Sequence, residues 1–161
     1  MQFEQLLKKL DCTKDPRKLA DAYTLNLGRC GSFYPGVRDL LQMLSGNVLL
    51  GIVTNGVSDT QRLRLEIHGY AQYFDAIVVS GEFGVPKPNP LIFNEALKIL
   101  GVAASKRVLM VGDSLTSDME GAKNSGLSSC WINEASDLDK VAIDVDYHIQ
   151  SLDQLLEILA Q

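Results

Sequence analysis

Three short stretches of the 161-residue chain carry side chains that could act together on an anionic ester. Thr54-Asn55-Gly56 sets a hydroxyl, an amide and a flexible glycine in a row, enough hydrogen-bonding groups to hold one anion. Lys87 stands between Pro86 and Pro88, so its ammonium rides on a stiff backbone and can be aimed. Gly112-Asp113-Ser114 is followed by Asp118. Two carboxylates with no His or Cys beside them suit a hard, oxygen-seeking cation such as Mg²⁺. Each stretch also has a plainer reading. Asn-Gly is a common turn dipeptide, most lysines are solvated, and an acid in the first turn of a helix complements its dipole. Asp113 fits that plain reading least, because a carboxylate at the end of a buried strand needs a partner. Taken together, the three stretches offer donors for oxygens, a positive charge and a metal site, which are the requirements of phosphoryl transfer.

The elements that must bring them together are written in the hydrophobic pattern. Apolar runs at Val48–Val53, Ala76–Val79, Arg107–Val111 and Cys130–Ile132 are nearly continuous, which predicts strands of a parallel sheet buried on both faces. Between them lie helices with recognisable ends. Val37, Leu40, Leu41 and Leu44 stripe one helix, stopped at Gly46. Ser58 with Gln61 forms a predicted capping box, with Gly69 as the stop. Asn89 can cap the next helix, Pro90 fits its first position, and Gly101 closes it. Ser117 with Glu120 is a second predicted box, which puts Asp118 in a first turn, and Gly126 is the stop. Ser151 with Gln154 opens a last helix striped by Leu155, Leu156 and Leu159. Strand and helix alternate about every 25 residues, which predicts right-handed βαβ units and a Rossmann-like open α/β parallel sheet with flanking helices. Such sheets bind ligands at the carboxyl ends of their strands, where all three stretches fall.

Ahead of Tyr34-Pro35-Gly36 the pattern is helical only. Phe3, Leu6, Leu7 and Leu10 form one stripe. After Asp15-Pro16, Leu19, Tyr23 and Leu27 form another, with Gly28 and Gly31 as predicted stops. This hairpin is too small to fold alone and must rest on something else. The expected organisation is therefore a helical segment over 1–33 and an α/β core over 34–161.

Composition narrows the function. Fifteen Lys and Arg against twenty Asp and Glu leave a formal net charge of -5, which argues against nucleic-acid polymers and anionic membranes as partners. Apolar stretches of about six residues fall far short of the roughly 20 needed to span a bilayer, and the opening residues do not spell a secretory leader. Cys12, Cys30 and Cys130 are too few and too scattered for a disulfide framework or a zinc site, and are expected to be reduced thiols of a cytoplasmic protein.

With these residues in view, the chain resembles the haloacid dehalogenase-like (HAD) hydrolase superfamily. Val53-Thr54-Asn55-Gly56 is similar to its second motif, whose hydroxyl holds the phosphoryl group. Lys87, in Gly84-Val85-Pro86-Lys87-Pro88-Asn89-Pro90, is similar to its third-motif lysine, which balances nucleophile and phosphate charge. Gly112-Asp113-Ser114 through Asp118 is similar to its fourth motif, which supplies magnesium-binding acids. The resemblance implies that Thr54, Asn55 and Lys87 bind phosphate, that Asp113 binds Mg²⁺ directly, and that Asp118 acts on the lysine or on a metal-bound water. It covers residues 34 to 161 in order. The stretch from Gly51 to Trp131 most resembles the YjjG-like 5'-nucleotidases, which implies a small phosphate ester as substrate, a nucleoside monophosphate first among them. Another small ester is the alternative.

One departure stands out. The family's first motif is a strand ending in Asp-x-Asp, whose first Asp attacks phosphorus to give an aspartyl-phosphate. The resemblance places that strand mid-sheet, between the strand ending at Thr54 and the one ending at Asp113, in the order 5-4-1-2-3. Here the chain opens inside what resembles the last part of a helical cap, and roughly 70 residues of such a family member, half of a typical domain of ~150, are expected to be absent. Asp144-Val145-Asp146 has the right spelling but only a three-residue apolar run, Val141-Ala142-Ile143, before it. Asp137-Leu138-Asp139 has none. Both are expected to be solvated loop acids. The chain alone is accordingly expected to be inactive and poorly stable, and a non-catalytic fragment that still binds phosphate and metal is the competing reading. His68 is expected to serve a helix C-terminus, His148 to have no catalytic partner, Trp131 to be core or sheet edge, and Arg62 and Arg64 to form a wet helix face.

Overall fold

The computed structural model describes residues 2–30, 33–134 and 144–160. Two helices open the chain, α1 (Gln2–Lys9) and α2 (Pro16–Arg29). Asp15 caps α2, its Oδ1 accepting the Arg17 N–H at 2.9 Å, with Pro16 at the first helical position. Then come α3 (Val37–Leu44), β1 (Gly51–Thr54), α4 (Ser58–Ile67) and a 3₁₀ turn at Ala71–Tyr73. β2 (Ala76–Val79), α5 (Ser80–Phe83), α6 (Pro90–Leu100) and β3 (Leu109–Gly112) follow. A π-helical turn at Leu115–Met119 runs into α7 (Glu120–Asn124), and β4 (Ser128–Ile132), β5 (Tyr147–Ile149) and α8 (Asp153–Leu159) end the described chain.

The strands pair in parallel throughout, as expected of βαβ units. β1 pairs with β2 (Gly51 opposite Ala76, Thr54 opposite Val79), while β4 lies between β3 and β5 (Leu109 opposite Ser128, Cys130 opposite Tyr147). Successive residues of each strand point to opposite faces, so Val53 and Met110 pack with Ile92, Phe93 and Leu97 of α6. Leu109 and Val111 pack instead with Leu40 of α3 and Leu155 of α8. Helices therefore cover both faces. Phe93, among the largest fully buried side chains, anchors the first layer. Burying a side chain of that size contributes about 1.5–3 kcal/mol.

β1 and β3 are not paired with each other. A cavity of about 720 Å³ lies between their two sheets, lined by Leu50, Val53, Met110 and Val111 with Leu97 and Leu155. This is the place where the resemblance puts a further strand. It also explains why continuous burial, expected of every strand, holds for β4 and most of β2 but not for β1 and β3, which are half-buried along most of their lengths.

Several local expectations fail for identifiable reasons. Gly28 does not stop α2. It lies inside the helix at the contact with α4, where an added Cβ would sit 2.9 Å from Leu63 Cδ2. Ser58 does not cap α4, because its hydroxyl bonds the Glu82 carboxylate instead. Ser114, not Ser117, caps the turn carrying Asp118, its hydroxyl accepting the Ser117 N–H at 3.2 Å. At the last helix only the Gln154 half of the box forms, its Oε1 accepting the N–H groups of Gln150 and Ser151. Arg64 is no wet-face residue; its guanidinium donates to the Leu27 carbonyl of α2 at 3.2 Å. Asn89 and Gly101 do bracket α6 as predicted, Gly101 at φ 69°. Gly31, Asp137, Asp139 and the run Val141–Ile143 lie outside the described residues. Among the described residues no helix is long and apolar enough to cross a membrane.

Candidate active site

The three chemically suggestive stretches meet at the carboxyl ends of β1, β2 and β3. Thr54 is the last residue of β1, its hydroxyl spending only a 3.4 Å contact on the Asn55 carbonyl. Asn55 clips its side chain onto the segment after β2. Its Oδ1 accepts the Lys87 N–H at 2.8 Å and its Nδ2 donates to the Lys87 carbonyl at 3.1 Å. Lys87, followed by a cis Lys87–Pro88 peptide, is thus held at its main chain by one strand end. Its ammonium is held by another, donating to Asp118 Oδ1 at 2.6 Å. The pair is nearly enclosed, with side chains 11% and 6% exposed.

Gly112 makes that pair possible. A Cβ there would fall 2.6 Å from the Cβ and Cγ of Asp118, so only glycine lets the carboxylate lie over the end of β3. Asp118 Oδ2 accepts the Ser114 N–H at 3.1 Å, so both of its oxygens are engaged. Asp113 differs. Its residue is exposed, and none of the described side chains bonds its carboxylate. Its main-chain carbonyl accepts the indole N–H of Trp131 at 2.9 Å. Tyr34 stands close enough to feel this charge. Burial first, then Asp113 and Glu134, push its phenol above the usual value.

Mg²⁺ keeps several waters and takes one or two carboxylates together with substrate phosphate oxygens. The exposed Asp113 carboxylate fits that habit, while the oxygens of Asp118 are engaged by Lys87 and the Ser114 N–H. Among the described residues no group of three or more His, Cys, Asp or Glu side chains gathers as a closed metal cage.

The alternative Asp-x-Asp lies at the other edge. Asp146 precedes β5 and accepts the main-chain and hydroxyl donors of Ser129 at 2.9 and 3.0 Å and the Lys106 ammonium at 3.1 Å. The Ser129 N–H and then Lys106 hold its carboxyl below the usual range. It is a structural tie at the amino ends of the strands.

Sequence reasoning did not find the Asn55 clip, the Trp131 bond or the nearness of Tyr34. It also left out a triad on the rim beyond β1 and β2. There Arg62 donates to Glu82 Oε2 at 2.7 Å and Ser58 shares the same carboxylate, which holds the Glu82 carboxyl down to about 2. Pairs drawn from distant residues leave no local signal; the Tyr34-Pro35-Gly36 break was the one available hint.

A family model described as haloacid dehalogenase-like hydrolase matches residues 1–132. The pyrimidine 5'-nucleotidase YjjG of Escherichia coli (strain K12) is 38% identical over 160 residues, which span 99% of this chain and 70% of that protein. The glyceraldehyde 3-phosphate phosphatase of Pyrococcus furiosus is 35% identical over 167 residues, 98% of this chain and 68% of that one. The crystal structure of the magnesium-bound HAD-hydrolase YfnB from Bacillus subtilis superposes with a TM-score of 0.77 at 35% identity, covering 99% of this chain and 69% of that chain.

Proposed function

The chain belongs to the haloacid dehalogenase-like hydrolase family, and from that premise we propose a Mg²⁺-dependent phosphomonoesterase whose substrate is a nucleoside 5'-monophosphate. The observation that carries the reading is the enclosed Lys87–Asp118 pair, fixed from two other strand ends by Asn55 and Gly112. Thr54 holds a phosphoryl oxygen through its hydroxyl. Asn55 contributes through its main chain, since its amide is spent on Lys87. Lys87 balances the phosphate charge, and Asp118 keeps that ammonium aimed. Asp113 would hold Mg²⁺, which when bound would supply Lewis-acid polarisation of a phosphoryl oxygen and offset developing negative charge. In this scheme hydrolysis passes through an aspartyl-phosphate, and none of the described residues is assigned as the nucleophile.

The substrate class is supported by the similarity to a pyrimidine 5'-nucleotidase, while the similarity to a glyceraldehyde 3-phosphate phosphatase keeps other small esters in the test. The experiment is phosphate release from UMP, CMP and glyceraldehyde 3-phosphate in the presence of Mg²⁺. The 161-residue chain alone is expected to release none. Joined to an upstream apolar strand ending in Asp-x-Asp and its cap, it is expected to release phosphate fastest from the nucleotides. Lys87→Ala in that joined enzyme should cost about 10²–10³-fold in turnover, as losing one preorganised charge contact does. Preference for the triose phosphate would overturn the substrate assignment. Undiminished turnover in Lys87→Ala would overturn the site.

A further inference from the structure

We infer that Trp131 is a positioning residue for the Asp113 carboxylate, pinning the peptide from which it projects and thereby tightening divalent-cation binding at the end of β3. The inference rests on the reading of Asp113 as the metal-binding acid.

Gly112 is the last residue of β3 and pairs in register with Trp131 of β4. Beyond it the ladder ends, and the Asp113 carbonyl has no strand partner. The Trp131 side chain reaches up from the neighbouring strand to fill that role, its Nε1–H donating to the Asp113 oxygen at 2.9 Å. The donor is itself immobile. Trp131 is 5% exposed and belongs to the central strand of its sheet. Its ring rests on the His148 ring of β5, with centroids 5.0 Å apart and planes at 31°, and the two residues are opposite each other in register. His148 Nε2 in turn lies 3.3 Å from the Asn133 carbonyl oxygen. A chain of contacts from β5 through β4 therefore ends on the Asp113 peptide, whose carboxylate is exposed and bonded by none of the described side chains.

A carboxylate that swings freely must be ordered each time it takes a cation, whereas a pinned peptide has already lost that freedom. Partners that orient a metal-binding group typically account for 10–100-fold in affinity. One bond to a main chain, with water able to replace it at an exposed residue, belongs at the low end, about 10-fold.

The test is a Mg²⁺ titration of the 161-residue chain by calorimetry, for wild type, Trp131→Phe and Asp113→Asn. Circular dichroism serves as the check on folding. Phe keeps a ring against His148 and removes the N–H together with the rest of the indole's five-membered ring, so circular dichroism and the indole resonance carry the distinction from lost packing. The chain holds a single tryptophan, so a ¹⁵N-labelled wild type gives one indole N–H resonance that reports this bond alone. Trp131→Phe is expected to bind Mg²⁺ about 10-fold more weakly with its circular dichroism retained. The wild-type indole resonance is expected to move along the same isotherm as the heat, and Asp113→Asn to abolish both. Wild-type affinity in Trp131→Phe, with Asp113→Asn still losing the metal, overturns the role of Trp131 and leaves the Asp113 reading intact. Wild-type affinity in Asp113→Asn overturns both. If Trp131→Phe does not fold, an indole resonance that stays fixed through a saturating titration overturns the inference by itself.

Discussion

The Lys87–Asp118 pair can be tested as a unit by comparing Lys87→Met, Asp118→Asn and the uncharged double variant Lys87→Met/Asp118→Asn. At the 2.6 Å separation of Nζ and Oδ1, the attraction is about 6 kcal/mol for an effective dielectric near 20. Desolvating the two ions takes back several kcal/mol each, so the pair's net worth is near zero. Breaking it is another matter. Lys87→Met strands a carboxylate only 6% exposed, and Asp118→Asn strands an ammonium only 11% exposed. Removing one partner of such a pair costs about 3–5 kcal/mol. Asn keeps an acceptor for both Lys87 and the Ser114 N–H, so it belongs near 3 kcal/mol. At roughly 2–4 °C per kcal/mol for a chain of this size, that is about 6–12 °C in Tm. The double variant buries no lone charge and should be more stable than either single one. Urea unfolding followed by circular dichroism measures all three. Additivity of the single effects within about 0.5 kcal/mol would mean that the two residues do not act as a pair, and would refute the reasoning.

Gly112→Ala should displace the Asp118 side chain, cost at least as much stability as Asp118→Asn, and keep its cost in an Asp118→Asn background, because Asn carries the same Cβ and Cγ; the same unfolding assay measures it. Asp146→Asn should leave phosphate release by the joined enzyme unchanged while lowering stability, because the Ser129 N–H loses a charged acceptor. Asp146's carboxyl is depressed from 3.8 by the fold, so its contribution is present above that pH and lost as pH falls below it. The stability gap between wild type and Asp146→Asn should therefore close on acidification. Cys130 is fully buried, which pushes its thiol up to about 11. In a native DTNB assay at pH 8 the exposed Cys30 should label quickly and Cys130 only on unfolding. Stability from keeping Cys130 neutral should persist below its ordinary value of 9.0 and fall as pH rises towards 11.

What could be read from the sequence was whatever is decided locally. The run Ala76–Val79 is a strand because its residues are apolar and mostly β-branched. Asn89-Pro90 starts α6 because an extended cap residue and a fixed φ suit a first turn wherever it occurs. Thr54, Lys87 and Asp113 could be placed on one edge because parallel strands send all their carboxyl ends the same way. What escaped was decided by competition between distant partners. Ser58 could have capped α4, but Glu82, 24 residues on, offers a carboxylate together with Arg62. Gly28 looks like a stop until Leu63 arrives against it. Ser117 lost the cap to Ser114 because the π-helical turn begins three residues earlier, a shift that no periodicity announces.

Asn55 shows best why types and spacing could single out a residue without assigning its work. A side-chain amide at a strand end was read as a phosphate donor, and in the fold it secures Lys87. The consequence is electrostatic. Lys87 faces Asp118 at hydrogen-bond distance, so its positive charge is already balanced before any substrate arrives, and Asp113 leaves the edge with one net negative charge. A phosphate monoester brings about two more. Lysine and main-chain donors alone would have to hold an anion against a site of its own sign. A dication held at Asp113, as proposed, would reverse the sign of the edge that a phosphate would meet. The proposed reaction needs its metal for this reason before any question of polarising a bond arises, and the exposed Asp113 carboxylate, left free while Asp118 is fully engaged, is the group that can take it.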